Sequence, residues 1–227
     1  MESVPPIAIS NTTPRGHHAH DVDLEDTFDF VNTDDLENGF PLERLPTLGD
    51  ALSWFVQRGV IHAEGAQRLG HETQQDPAAA ARDLARIHAV RGALREVSDA
   101  IVEHRPPQAG ALDTVNRALH ARQVIELVPS SDGCVAVDHR HVGDPIDDAL
   151  ARLCDPLVTE LTSGTPERIR ICDNDRCQWV FYDTSRTGRR RWCDMATCGN
   201  RAKAARHRAK SKAGSSSGIA STPSLNA

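Results

Sequence analysis

Cys172-Asp-Asn-Asp-Arg-Cys177 is followed by fifteen residues and then by Cys193-Asp-Met-Ala-Thr-Cys198, and this spacing predicts how the C-terminal part of the chain folds. Two close cysteine pairs separated by a loop can direct four sulfur atoms at one point, as a tetrahedral zinc site requires. Four residues separate the cysteines of each pair, which is the wide end of the usual range. Because four thiolates would fill the coordination shell, we predict one structural Zn²⁺ rather than a catalytic one.

Two disulfides or four buried free thiols are the alternatives to a metal site, and iron is the alternative to zinc. Residues 1–10 lack the charged and apolar regions of a secretory signal, and nothing approaches the roughly 18 apolar residues of a membrane span. The sequence thus predicts a cytoplasmic protein without a membrane partner, in which thiols stay reduced. Free thiols would not explain the paired spacing, whereas redox sensing through the zinc thiolates stays open.

The residues around the cysteines predict two short strands, a turn and a helix. Ser185-Arg-Thr-Gly188 has the composition of a turn between the two strands, and the alanines that follow Cys198 favour a helix. A knuckle, a hairpin and a helix that begins at the last cysteine form an arrangement similar to a treble clef. The apolar residues with the types and spacing of the strands are Ile169, Ile171, Trp179, Phe181 and Trp192.

Charge is distributed unevenly along the chain. The formal net charge is −6, yet residues 166–212 contain 13 basic and 5 acidic residues, so the remainder is strongly acidic. An acidic body with a basic end indicates a polyanionic partner, and attraction between the two parts within the fold is the alternative. The candidate nucleic-acid-binding residues lie near the predicted turn or on the predicted helix: Arg186, Arg189, Arg190, Arg191, Arg201, Lys203, Arg206, Arg208 and Lys210.

Helical periodicity dominates the residues before the cysteines. Asp76-Pro77 and Asp144-Pro145 each combine a helix N-cap with proline at the first helical position. Residues 124–128 and 134–138 are β-rich and flank Pro129-Ser-Ser-Asp-Gly133, which predicts a hairpin. We therefore predict a mainly α fold with a small β-hairpin, in which a helical N-terminal domain is followed by a treble-clef-like zinc finger.

The predicted boundaries are 1–23 for a disordered arm, 24–164 for the α-rich domain, 165–211 for the zinc finger and 212–227 for a flexible tail. Cys134 and Cys154 lie outside the two pairs and are predicted to be small buried apolar residues. Asp138-His139-Arg140-His141 is the one polar cluster that suggests catalysis. Because neither a nucleophile nor metal-ligand spacing accompanies it, we predict that the protein is not an enzyme.

Cys198-Gly199-Asn200-Arg201 resembles the signature of the CGNR zinc finger, and Trp179-Val-Phe-Tyr-Asp183 and Arg190-Arg-Trp-Cys193 look like the rest of that finger. Phe30-Val-Asn-Thr33, followed by helices, resembles the ABATE domain, which accompanies this finger in bacterial stress-induced transcription regulators. The resemblance implies that the four cysteines are zinc ligands. It also implies that Arg201 and its basic neighbours are the DNA-contacting set.

Two functions follow from these features. The leading one is a zinc-dependent, DNA-binding transcription regulator whose helical domain senses a signal or forms a homodimer. The alternative is a zinc-finger module that binds RNA or an acidic protein partner, although Trp179, Phe181 and Trp192 are better explained as core than as a platform for stacked bases. No motif identifies a small-molecule effector.

Overall fold

The computed structural model describes residues 22–37, 39–120, 123–129, 135–141 and 144–215. The helices are α1 Leu24–Val31, α2 Leu48–Gln57, α3 Ala63–Gln75, α4 Pro77–Val102, α5 Ala109–Leu119, α6 Pro145–Ser163 and α7 Asn200–Ser215. The strands are β1 Asp34–Glu37, β2 Phe40–Glu43, β3 Gln123–Pro129, β4 Val135–His141, β5 Ile169–Ile171 and β6 Val180–Tyr182. The predicted mainly α fold is confirmed. None of the described helices has both the length and the apolar composition to cross a membrane.

Short-range signals set where the helices begin. The carboxylate of Asp76 accepts a hydrogen bond from the Ala79 N–H at 3.0 Å, and Pro77 is the first residue of α4. Asp144 caps α6 in the same way through the Ile146 N–H at 2.9 Å. Each such cap stabilises its helix by about 1 kcal/mol, so both predicted helix starts have a local cause.

One apolar core joins the helices to the two strands beside the cysteines. Phe30 of α1 and Phe55 of α2 are fully buried, and their ring centroids lie 6.0 Å apart. Cys154 of α6 is also fully buried, whereas Cys134 lies outside the described residues. Ile169 and Val180 belong to the same core as these helical residues. Residues on both sides of the predicted boundary at residue 164 therefore pack together.

Three antiparallel pairs of strands account for the described β-structure. The predicted hairpin is the pair β3–β4, whose register joins Gln123 to His141 and Pro129 to Val135. The pair β5–β6 lies next to the cysteines, as two short strands were predicted to do. Both strands precede the turn at Ser185 that was predicted between them, and Trp192 belongs to neither strand. The pair β1–β2 was not predicted, and its turn contains Gly39 at a φ of +89°.

A polar seam fixes β6 and the residue before it against the helical part of the chain. The side chain of Asn32 accepts a hydrogen bond from the Val180 N–H and donates one to the Val180 carbonyl, each at 2.9 Å. The indole Nε1–H of Trp179 donates to the carboxylate of Asp35 at 2.6 Å. We call these contacts the Asn32–Trp179 seam.

Arginines of α4 support both sides of this seam. Arg91 is buried, pairs with the carboxylate of Glu43, and donates to the hydroxyl of Thr33 at 3.0 Å. Arg95, one turn further along α4, donates to the carbonyl of Gln178 at 3.0 Å. Both sides of the seam are therefore anchored to α4, one through the side chains of Thr33 and Glu43 and the other through the backbone of Gln178.

Candidate metal centre and basic surface

The structure brings the four predicted cysteines together. The Sγ atoms of Cys172, Cys177, Cys193 and Cys198 all lie within 4.8 Å of one another. The Sγ atom of Cys193 lies 3.7 Å from that of Cys177 and 3.9 Å from that of Cys198. Sulfur atoms about 2.3 Å from a central zinc ion form a tetrahedron with edges of roughly 3.8 Å, so the cluster has the dimensions of a zinc site.

The first pair of cysteines sits on a turn organised by Asn174. The Asn174 carbonyl accepts hydrogen bonds from the N–H groups of Cys177 and Gln178, at 2.7 and 3.1 Å. Its side-chain Nδ2 donates to the Sγ atom of Cys198 at 3.2 Å, across the cluster. An N–H donor to a ligand sulfur stabilises its thiolate form. The sequence gives no local signal for this hydrogen bond, because its acceptor is 24 positions away along the chain.

The second pair leads directly into α7. A single π-turn, Met195–Gly199, precedes the helix, and its cap is Asp194. The carboxylate of Asp194 accepts hydrogen bonds from the N–H groups of Ala196 and Thr197, at 3.1 and 3.0 Å. The Ala196 N–H has the largest effect on the pKa of Asp194. Together with the hydroxyl and the N–H of Thr197, it holds this pKa below its ordinary value. Asp194, which follows Cys193 directly, thereby caps the turn that leads into α7.

The thiols strongly influence one another's charge. Hydrogen bonds from the thiols of Cys177 and Cys193 lower the pKa of Cys172 to about 2. Their proximity to Cys172 raises the pKa of Cys177 to about 12 and also raises that of Cys193. In the absence of a cation, one thiolate therefore suppresses ionisation of its neighbours. A divalent cation at the common centre would favour all four thiolates, which is the chemistry of this donor set.

The predicted turn is present, and two arginines donate hydrogen bonds to its backbone. The Gly188 N–H donates to the Ser185 carbonyl at 3.2 Å, and Gly188 has a φ of +60°. Arg168 donates to the Asp183 and Ser185 carbonyls, both at 2.8 Å, and Arg170 donates to the Gly188 carbonyl at 2.7 Å. These two arginines bind the turn backbone, so they contribute to the finger's positive charge while shaping the turn.

A buried carboxylate completes the turn. Asp183 is fully buried, and although burial alone favours its neutral form, hydrogen bonds hold its pKa below the ordinary value. Its donors include the N–H of Ser185 at 2.9 Å and the N–H of Arg190 at 2.6 Å. Asp183 thus joins the two ends of the turn that carries Arg186.

Eight of the nine predicted basic residues have described side chains, and these eight fall into two groups. The side chains of Arg190, Arg191 and Arg206 are engaged within the finger, because each guanidinium lies over an aromatic ring. Within the described part of the chain, five exposed side chains form no hydrogen bond or ion pair: Arg186, Arg189, Arg201, Lys203 and Arg208. Lys210 lies on α7, and its side chain is outside the described atoms.

Arg190 is half-buried and has a structural environment. Its guanidinium donates to the Cys193 carbonyl and lies 5.1 Å from the centroid of the Phe181 ring. A cation over an aromatic ring and a hydrogen bond to a backbone carbonyl both immobilise the side chain. Of the nine predicted residues, Arg190 therefore has the least freedom to contact a partner.

Comparison with protein families agrees with this arrangement. Residues 168–211 match the model of the CGNR zinc finger, and residues 27–164 match the model of ABATE, described as "Putative stress-induced transcription regulator". Neither description is that of an enzyme. No curated protein matches the chain. The chain belongs to the ABATE family and carries a CGNR zinc finger after the ABATE domain.

Proposed function

We propose that the protein is a DNA-binding transcription regulator in which Cys172, Cys177, Cys193 and Cys198 hold one structural Zn²⁺. In this proposal, the zinc finger, residues 165–211, contacts duplex DNA through α7 and the turn that carries Arg186. The α-rich domain, residues 24–164, holds the finger in position and senses a signal or forms a homodimer. The observation that carries the proposal is the exposed surface of α7, whose charged residues are all basic.

Helix α7 has the exposed, positively charged surface expected of a helix that binds a polyanion. Residues 203–209 are all exposed, and the helix contains no acidic residue. Its alanines favour helix formation, but a helix that is polar on all sides gains no stability from packing. A polyanion would neutralise its cations, and a 16-residue helix of roughly 24 Å can lie in a major groove about 12 Å wide.

The aromatic residues of the finger favour duplex over single-stranded nucleic acid. Phe181 is buried, the Trp179 indole donates to Asp35, and the Trp192 ring is in contact with two guanidinium groups. Single-strand binding uses exposed aromatic rings on which bases stack. These three rings are already in contact with other groups of the protein. Electrostatic attraction is therefore the means by which the finger would bind nucleic acid.

The test is binding of zinc-loaded protein to random-sequence duplex DNA across a salt series. Because each phosphate contact contributes roughly 0.9 to the slope of log K against log salt, we expect affinity that falls steeply with salt. The variant R201Q/R208Q, which removes two exposed cations of α7, should lower the slope by about 2. Arg117→Gln, at an exposed position on α5, is the matched control and should leave the slope unchanged.

The competing functions predict different results. Tighter binding of RNA hairpins or single strands than of duplex would replace DNA by RNA as the partner. No binding to any nucleic acid at low salt, by protein shown to be folded and zinc-loaded, would point to an acidic protein surface. A Cys198→Ser variant should lose both zinc and DNA binding, and a variant that still binds DNA would disconnect the metal from the interface.

We propose that a ligand which acts on the finger binds in a small cleft at the Asn32–Trp179 seam. The cleft has a volume of about 170 Å³ and is lined by Asp29, Asn32, Thr33, Arg44, Trp54, Arg58 and Trp179. It brings side chains of α1, α2 and the finger to one opening. Because Trp54 and Trp179 line the cleft, a ligand that enters it should change the intrinsic fluorescence of the protein. If an effector binds the protein and leaves the fluorescence unchanged, the effector site lies outside this cleft.

A further inference from the structure

Trp192 is in contact with two cations that come from different parts of the finger. The guanidinium carbon of Arg191 lies 5.1 Å from the centroid of the Trp192 ring, and that of Arg206 lies 5.8 Å from the same centroid. Arg191 precedes the second cysteine pair, whereas Arg206 lies on α7. One indole therefore connects the loop before Cys193 to the helix that follows Cys198.

The Trp192 ring has a fixed position. It is half-buried and packs against the cluster formed by Cys172, Phe181 and Cys198. A cation held over an indole gains roughly 0.5–1 kcal/mol at an exposed site. This is enough to favour one orientation of a long arginine side chain. The Nε of Arg191 also pairs with the carboxylate of Asp173 at 2.5 Å, so an anion would bind the terminal nitrogens of this guanidinium or displace Asp173.

The two guanidinium groups are close enough to act on one stretch of backbone. Their carbons can be no farther apart than the sum of the two distances to the shared centroid. That upper limit is comparable with the Debye length of roughly 10 Å at 0.1 M salt, so salt only partly screens the repulsion between the two positive charges. A phosphate between or beside them would relieve that repulsion.

We propose that Trp192 is a positioning residue that holds Arg191 and Arg206 as a paired clamp for the phosphates of one DNA strand. The clamp rests on the proposed DNA-binding function and adds a specific contact to it. Trp192 itself need not touch the DNA, because it acts through the two arginines. The contact is to backbone, so it carries no base preference and positions the finger on the duplex.

The clamp is tested by the salt dependence of duplex binding in variants of the full chain. We expect Arg191→Gln and Arg206→Gln each to lower the slope by about 1, and the double variant by about 2. Trp192→Leu should lower it by about 2 without any change of an arginine. Trp192→Phe, which keeps an aromatic ring, should retain most of the slope. Arg117→Gln is again the control.

Zinc content and far-UV circular dichroism separate the clamp from a loss of folding. A folded, zinc-loaded Trp192→Leu variant with the wild-type slope would overturn the proposal. If that variant loses zinc, the arginine variants decide, and an unchanged slope in either one overturns the clamp. Absence of DNA binding by the wild-type protein would instead refute the proposed function, so the two failures are distinguishable.

Discussion

Asn32 and Val180 exchange two hydrogen bonds of 2.9 Å although 148 residues separate them in the chain. The amide of Asn32 behaves like one residue of a neighbouring strand, because it supplies both a donor and an acceptor to the edge of β6. Both residues are buried, so no water competes for these groups. The pair is one of the polar contacts that join the finger to the helical part.

Replacement of Asn32 by alanine should weaken this contact strongly. The variant leaves a buried N–H and a buried carbonyl of Val180 without partners, and each unsatisfied group costs about 1–3 kcal/mol. We therefore expect the free energy of unfolding to fall by about 2–4 kcal/mol, measured by urea denaturation. Asn116→Ala, at an exposed position on α5, is the control. Equal stability of the two variants would show that the seam contributes nothing.

Replacement of Trp179 by phenylalanine should change the titration of Asp35. Burial alone favours the neutral acid, but hydrogen bonds from Trp179, Arg44 and the Leu36 N–H hold the pKa of Asp35 below its ordinary value. Loss of the indole donor should raise this pKa, as carbon-detected NMR titration of the carboxyl group would show. An unchanged pKa in the variant would mean that Arg44 and Leu36 alone stabilise the carboxylate.

The same substitution has a defined effect on stability against pH. A lowered pKa in the folded state stabilises the protein above the unfolded value near 3.8, and this gain is lost as pH falls through the folded pKa. The stability difference between wild type and Trp179→Phe should therefore be full at neutral pH and should shrink below about pH 4. A difference that stays constant to low pH would assign the loss to packing alone.

Removal of the metal should destabilise the helices as well as the finger. Ile169 and Val180 lie in the same core as the helical residues, so disorder around the cysteines exposes that core. We expect a zinc chelator to lower the temperature at which the far-UV circular dichroism signal of the whole chain is lost. Two separate transitions, with the helical one unaffected by chelation, would contradict this coupling.

Neutralisation of Asp173 should increase DNA affinity. Its carboxylate pairs with the Nε of Arg191 at 2.5 Å, and both side chains are largely exposed. Asp173 therefore competes with phosphate for one arginine of the proposed clamp. An exposed pair of this kind is worth about 0.2–1 kcal/mol, so Asp173→Asn should tighten duplex binding by roughly 1.5- to 5-fold. Asp175→Asn, on the same turn, removes one negative charge as the control, and equal effects would indicate a general charge effect.

Features with short-range causes were predictable from the sequence. The starts of α4 and α6 depend on residues within three positions of Asp76 and Asp144, and the cysteine spacing predicted the cluster. The hairpin β1–β2 was missed because its strands are only four residues long and include Pro41, which weakens a strand signal.

The roles of Asn32, Trp179 and Trp192 could not be predicted in the same way. Each depends on a partner that is distant in sequence or on a specific side-chain orientation, as in the Trp179–Asp35 hydrogen bond. Residue type and spacing predicted Trp179 and Trp192 to be core residues of short strands. In the structure both rings are half-buried; the Trp179 indole donates a hydrogen bond to Asp35, and the Trp192 ring lies under the guanidinium of Arg191.

The Asn32–Trp179 seam has a consequence for protein engineering. Many zinc fingers are exchanged between proteins as independent cassettes, but transfer of residues 168–211 alone would leave Val180 without its amide partner and Trp179 without its acceptor. The donor protein would in turn keep a gap where Ile169 and Val180 complete its core. A functional chimera would have to carry α1 and β1 along with the finger, so the transferable unit is discontinuous in sequence.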